Sequence, residues 1–259
     1  YSSLYNVYTN FFKCDEVEKT AVDKKGRPVK VKYHAPNKKF LVDNRGWLIN
    51  GGVKYYNEDK NNEQALKYFS LYIESAQNPM LAGDSAIVND TLITKIAYYA
   101  SLASMQLKDY KSVLKFTPLV KQDRENHRYG YEFTASAYRE MGDTAQWIAE
   151  LQEGVKKYPD HNYFVGNLLD YYNNSGKFDE ALKFANDMVT KDPNDSFMQY
   201  VKGYLCQNLK KYDDAITAYK AAIAIKPDYA EAHSNLGLVY CTQARDYQDK
   251  MPTNLSNAQ

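Results

Sequence analysis

The chain has 259 residues, of which 44% are apolar and 25% charged, with a net charge of +1. It is long enough to bury a substantial core in one large domain or two smaller ones, and its near-neutral balance offers no global field for nucleic acid, membrane or acidic substrates. No run approaches the roughly 18–20 uninterrupted apolar residues of a membrane span, and Cys14, Cys206 and Cys241 have no metal-ligand spacing.

Leu4, Tyr5, Tyr8, Phe11 and Phe12 form an apolar stripe at helical spacing. It predicts a helix over 1–18 that packs as the closing half of an earlier repeat. The start on Tyr1 rather than Met leads us to expect a processed or trimmed chain. Residues 19–39 interrupt the pattern with eight basic residues and one acidic residue, a local balance of +7 that leaves −6 for the rest. We expect a basic insertion here, a loop or a small β-hairpin, because Val29-Lys30-Val31-Lys32-Tyr33 alternates after Lys25-Gly26.

From residue 40 to 242 the chain repeats. Gly52, Tyr56, Ala65 and Phe69 mark one helix pair, with an extra residue in the turn around Asp59 to Asn62. Tyr110, Val113 and Val120 mark the next, with Ser101 and Ser104 in its first helix and Pro118 predicting a kink or early end in its second. Beyond that, Pro159, Pro193 and Pro227 stand 34 residues apart, as do Trp147, Ala181 and Ala215, and Leu151, Ala185 and Tyr219. Gly142, Gly176 and Lys210 share the interval, as do Tyr138, Tyr172 and Cys206. Within one period, Val165, Leu168, Leu169 and Tyr172 lie on one helical face, and Gly176 stops that helix. Phe178, Ala181, Leu182, Ala185 and Met188 form a second face, ended by Asp192-Pro193. Leu236, Gly237 and Tyr240 open a final first helix, after which 243–259 reads as an irregular tail containing Pro252. The missing second helix leads us to expect that the native protein continues past Gln259.

These residues resemble the tetratricopeptide repeat family, most closely over Gly203 to Pro227, where Gly203, Tyr212, Ala215, Tyr219, Ala222 and Pro227 stand at the family's positions. Cys206 and Lys210 depart from it, where an aromatic and a glycine are usual. The resemblance implies an all-α, right-handed superhelical solenoid of antiparallel helix pairs, with about five pairs and a final first helix over 40–242. It also implies a groove lined by first helices. Projected onto this sequence, the groove-facing positions are Tyr98, Leu102, Glu132, Ser136, Arg139, Tyr163, Asn167, Asp170, Asn174, Tyr200, Tyr204, Gln207 and Asn208. Tyrosine rings offer contact area and amides bond an extended backbone; the alternative is that the same tyrosines pack between neighbouring pairs. A subset of the family clamps a terminal carboxylate with lysine, arginine and asparagine. Asn167 is present here, but Gly166 and Asp170 stand where a lysine and an asparagine would serve, so no such clamp is expected.

There is no Gly-rich phosphate loop, no pair of histidines at metal spacing and no nucleophile elbow. His34, His127, His161 and His233 are scattered, and Cys206 and Cys241 read as small apolar helix residues. We therefore expect a non-catalytic scaffold for a protein or peptide partner, with no metal, no cofactor and no nucleic acid. The competing reading is an assembly element that self-associates, or the regulatory arm of a larger protein. The aromatic, Lys/Asn-rich style resembles exported bacterial repeat proteins, which favours a periplasmic or surface location over the cytoplasm.

Overall fold

The computed structural model describes residues 2–159 and 161–250. Among them every regular element is a helix, apart from one isolated antiparallel bridge between Val22 and Pro28. The chain forms two compact units, one running to Leu151 and the other starting at Gln152.

The first unit opens with α1 (Ser2–Thr20) and α2 (His34–Asp43). The pair α3 (Gly46–Asn57) and α4 (Asn62–Ser75) follows, then the one-turn α5 (Ser85–Val88). Next come the pair α6 (Ile93–Gln106) and α7 (Tyr110–Val120), then α8 (His127–Glu140). The boundary falls inside α9 (Thr144–Lys157). The second unit holds the pairs α10 (Asn162–Ser175) with α11 (Phe178–Lys191) and α12 (Ser196–Asn208) with α13 (Tyr212–Ile225), and then α14 (Ala230–Lys250).

Each reversal from a first to a second helix has the same construction. One residue takes a left-handed conformation: Lys60, Lys108, Gly142, Gly176 and Lys210, at φ between 52° and 76°. The next amide then bonds back to a carbonyl in the last turn of the first helix. Asp109 reaches Ser104, Asp143 reaches Tyr138, Lys177 reaches Tyr172 and Lys211 reaches Cys206, at 2.9–3.1 Å. This bond satisfies a carbonyl that a helix end would otherwise leave bare. In the first reversal Asn61 reaches Tyr55, six residues back rather than five, which accommodates the extra residue read from the sequence. Acidic and amide side chains cap several of the helices that follow: Asn61 accepts from the Gln64 amide, Asp109 from Ser112 and Asp195 from Phe197 and Met198. The second helices α11 and α13 end on extended residues, Asp192 and Lys226, each immediately before a proline. Pro118 lies near the end of α7, which has 11 residues where α11 and α13 have 14.

Helices within a pair approach closely because glycine on one faces an aromatic ring on the other. A Cβ on Gly52 would lie 2.4 Å from the Phe69 ring, and one on Gly203 would lie 2.6 Å from the Tyr219 ring. In α6, Ser101 and Ser104 are fully buried and turn their hydroxyls onto Ala97 and Ala100 carbonyls at 2.8 Å, so they pack as small residues.

Two expected boundaries need correction. Regular helix persists through Thr20 and resumes at His34, so the insertion expected over 19–39 shrinks to residues 21–33. Pro36 sits in the first turn of α2, where its missing amide costs nothing, and Lys39 pairs with Asp43 one turn on at 2.8 Å. The alternating stretch up to Tyr33 is not a strand. Its Lys32 and Tyr33 amides donate to the Glu18 carboxylate at 2.7 and 3.0 Å, and the hairpin-like bonding lies earlier, where the Val29 amide meets the Ala21 carbonyl. The tail expected to be irregular from 243 is helical to Lys250, because no glycine or proline interrupts 244–250. The remainder, 251–259, lies outside the described residues.

One feature of the first unit has no repeat logic. Arg45, 5% exposed at the start of α3, donates from Nε to Ser75 Oγ at 3.0 Å and from Nη2 to the Tyr72 carbonyl at 2.8 Å, and pairs with Asp90. The Tyr72 hydroxyl donates to the same Asp90 carboxylate at 2.7 Å. This network ties both ends of the first pair to the extra segment around α5, whose Met80, Leu81 and Ile87 are buried in the core.

Asp90→Ala leaves the buried guanidinium without its counter-charge and should destabilise the first unit by about 3–5 kcal/mol, read from urea unfolding. Lys210→Gly relieves a side chain held at positive φ and should stabilise the second unit by about 1 kcal/mol in the same assay.

Candidate functional site

The projected groove residues fall on the first helices of both units, so each unit presents its own set. In the first unit Tyr98 is not a free ring. It lies 5.4 Å from Tyr129 and stacks at 5.9 Å on Phe133, which itself stacks on Tyr129 at 5.8 Å. Burial raises the Tyr98 hydroxyl pKa above its ordinary value, with Tyr129, Tyr99, Tyr56 and Glu132 adding to the rise, so the hydroxyl stays protonated at neutral pH. Leu102 and Ser136 are half-buried on α6 and α8. Glu132 lies 3.5 Å from Arg128 on its own helix. Arg139 is exposed at the end of α8, with its guanidinium 5.3 Å from the Trp147 ring.

Beside this aromatic cluster, α3 and α6 leave a recess of about 260 Å3. Ile49, Val53 and Tyr56 line one wall, Leu92, Ile96 and Tyr99 the other, and Phe69 contributes from below. Val53 is 37% and Leu92 47% exposed, so the recess keeps apolar surface in water. Lys95 stands at its edge, 3.7 Å from Glu125. None of these lining residues was projected from the sequence. The signal available there, Ile49 and Val53 one turn apart on α3, also fits ordinary core packing.

In the second unit Tyr200 and Tyr204 join helices. The Tyr200 hydroxyl accepts from Asn235 of α14 at 3.2 Å, and its ring lies 5.1 Å from Tyr229 and 5.9 Å from Tyr219. Burial raises the Tyr200 pKa, and the Asn235 bond opposes the rise. The Tyr204 hydroxyl accepts from Asn173 of α10 at 2.9 Å, and Gln207 accepts from the buried Tyr219 hydroxyl at 2.8 Å. Two of the projected amides return to their own helices: Asn167 donates to the Tyr163 carbonyl at 2.7 Å and Asn208 to the Tyr204 carbonyl at 2.9 Å. Asp170, Asn174 and Asn208 are exposed, as is Gly166 at the clamp position. The structure thus brings Tyr200, Tyr204 and Gln207 together as inter-helix ties and leaves Asp170, Asn174 and Asn208 facing solvent.

Among the described residues no cluster of His, Cys, Asp or Glu has the arrangement of a metal site, and no helix is long and apolar enough to cross a membrane. His34 is not simply exposed: its Nδ1 meets the buried Asp15 carboxylate, which Lys19 also contacts at 2.7 Å. Burial alone would push Asp15 upward, but the His34 and Lys19 bonds outweigh it and hold the carboxyl below its usual range. Cys206 is buried, whereas Cys241 is exposed on α14.

Family models match two stretches: a tetratricopeptide repeat over residues 134–196 and a TPR repeat over residues 203–243. Among solved structures, the chain is similar to a TPR repeats protein from Bacteroides fragilis NCTC 9343. That likeness has 17% identity and a TM-score of 0.53, and covers 76% of this chain and 98% of that one. MamA 41-end from Desulfovibrio magneticus RS-1 matches at 16% identity and a TM-score of 0.40, covering 66% of this chain and 99% of that one. No curated protein matches. The repeated reversal, the paired helices and the two family matches agree: the chain carries tetratricopeptide repeats over residues 134–196 and 203–243.

Proposed function

We propose that this protein holds a peptide or protein partner on the faces of its first helices, with the apolar recess between α3 and α6 as the anchoring point. In general terms it is a protein-interaction scaffold, as tetratricopeptide repeats are. The observation carrying the finer reading is the recess itself. A cavity of about 260 Å3 walled by Val53, Leu92 and Tyr99 suits one or two apolar side chains of a partner. Exposed apolar walls beside an aromatic cluster are the composition of an anchor pocket. In the second unit, Asn174 and Asn208 offer amide groups for a partner backbone. Tyr200 and Tyr204 serve chiefly to join first helices.

Peptides selected from a random library on the intact chain should share an apolar anchor. Val53→Glu or Leu92→Glu should weaken their binding roughly tenfold or more while leaving the thermal melt unchanged, because both side chains are exposed. Undiminished binding by both variants would remove the recess from the mechanism. Tyr200→Ala should behave differently, lowering the second unit's stability by roughly 2–3 kcal/mol in urea, since its ring packs on two others but is only half-buried.

A further inference from the structure

The basic charge near the start of the chain divides into two sets. Of the eight basic residues between 19 and 39, Lys19 pairs with Asp15 and Arg27 with Asp23, both at 2.7 Å. Lys38 pairs with Asp84 at 3.7 Å and Lys39 with Asp43 at 2.8 Å. The other four, Lys24, Lys25, Lys30 and Lys32, form no ion pair among the described residues. All four lie in the loop 21–33 that joins α1 to α2, and residues 24–33 are exposed without a break.

Acidic side chains hold this loop in shape. The Asp23 carboxylate accepts the Lys25 and Arg27 amides at 2.7 and 3.0 Å. The Gly26 amide returns to the Asp23 carbonyl at 2.9 Å, with Gly26 itself at φ 75°, and Val22 bridges to Pro28. Glu18 fixes the far end through the Lys32 and Tyr33 amides. Both carboxylates thus serve the backbone and leave the four ammonium groups uncompensated. Apolar side chains stand among those lysines: Val22 is 59% and Tyr33 55% exposed, and Val29 and Val31, on either side of Lys30, are exposed as well. A partner that met only the charge would leave this apolar surface in water.

We propose that the loop 21–33 docks onto an anionic lipid surface. Such a surface answers both halves of its chemistry. Negatively charged headgroups attract the four free lysines, while valine side chains and a tyrosine ring settle at the boundary between headgroups and acyl chains. A nucleic acid would answer the lysines, but within the loop it could stack only on Tyr33 and would leave the valines in water. An acidic protein would need a hollow to receive a segment exposed along its whole length, whereas a fluid headgroup layer yields around it. The turn built by Asp23 is already closed, so docking has little chain left to order. None of these residues lines the recess between α3 and α6, and the proposal is independent of it.

Cosedimentation of the 259-residue chain with vesicles tests the proposal, comparing phosphatidylglycerol mixed into phosphatidylcholine with phosphatidylcholine alone. We expect binding to the mixed vesicles only, weakening as salt is added. Lys30→Gln with Lys32→Gln should lower the partition coefficient roughly tenfold or more, and Val29→Ser with Val31→Ser about fivefold. Lys183→Gln with Lys191→Gln removes the same charge from the second unit and should leave binding within about twofold. All six side chains are exposed, so circular dichroism melts should not change, which separates lost docking from lost folding. Absence of binding to the mixed vesicles at low salt, equal loss from the two lysine pairs, or indifference to the valine pair overturns the proposal. So does tighter binding of the same loop to a single-stranded oligonucleotide or to polyglutamate, which would make the partner a nucleic acid or an acidic protein.

Discussion

A single left-handed residue at each helix reversal governs the rest of the architecture. Once Lys108, Gly142, Gly176 or Lys210 turns the chain, the following amide can reach a carbonyl five residues back, and the second helix must run against the first. The closed hydrogen bond makes the turn tight, which brings the two helices into contact along their lengths. Where a lysine occupies the position, the backbone accepts a strained conformation because the bond and the packing beyond it over-determine the geometry. The consequence of removing the device is visible in α14. With Ala244 at the corresponding place the helix continues to Lys250, and no second helix pairs with it among the described residues.

Contact along a pair then depends on matched volumes. Glycine at 52 and 203 removes a side chain where Phe69 and Tyr219 need room, so one ring fills the space that one missing Cβ leaves. Tyrosine suits this arrangement better than phenylalanine where the ring's tip emerges between helices. The Tyr219 hydroxyl finds Gln207, and Tyr204 and Tyr200 receive Asn173 and Asn235 from neighbouring first helices. Here the high tyrosine content of the chain becomes intelligible: rings supply apolar area inside the stack while hydroxyls satisfy amides at its edge.

The first unit adds a different kind of constraint. Its opening helices and the segment around α5 lie outside the repeat, and directional polar contacts hold them as well as shape. Arg45 spends its guanidinium on Asp90, Ser75 and the Tyr72 carbonyl, and Asp15 gathers His34 and Lys19. Such contacts fix one arrangement among many that apolar packing alone would tolerate. The recess between α3 and α6 follows from the same departure, since Leu92, at the entry to α6 just after Asp90, supplies one of its walls.

The sequence by itself determined the period, the turns and the positions of the small and aromatic residues within each repeat. These are local in origin: a breaker at fixed spacing, a helical face of three and four, and a small residue where a large one must fit. It also located the extra residue near Lys60 and the shortening caused by Pro118, because a backbone donor or a turn length is written in the chain. Only the tertiary structure decided which tyrosines are structural. Tyr200 and Tyr98 occupy groove positions by register, yet each is held by rings or amides from elements distant in sequence, and periodicity carries no record of such partners. The same holds for the insertion, where Glu18 rather than strand pairing takes the amides of Lys32 and Tyr33, and for the recess, whose walls come from two helices. Local spacing states which face a residue is on. What meets that face depends on distant segments.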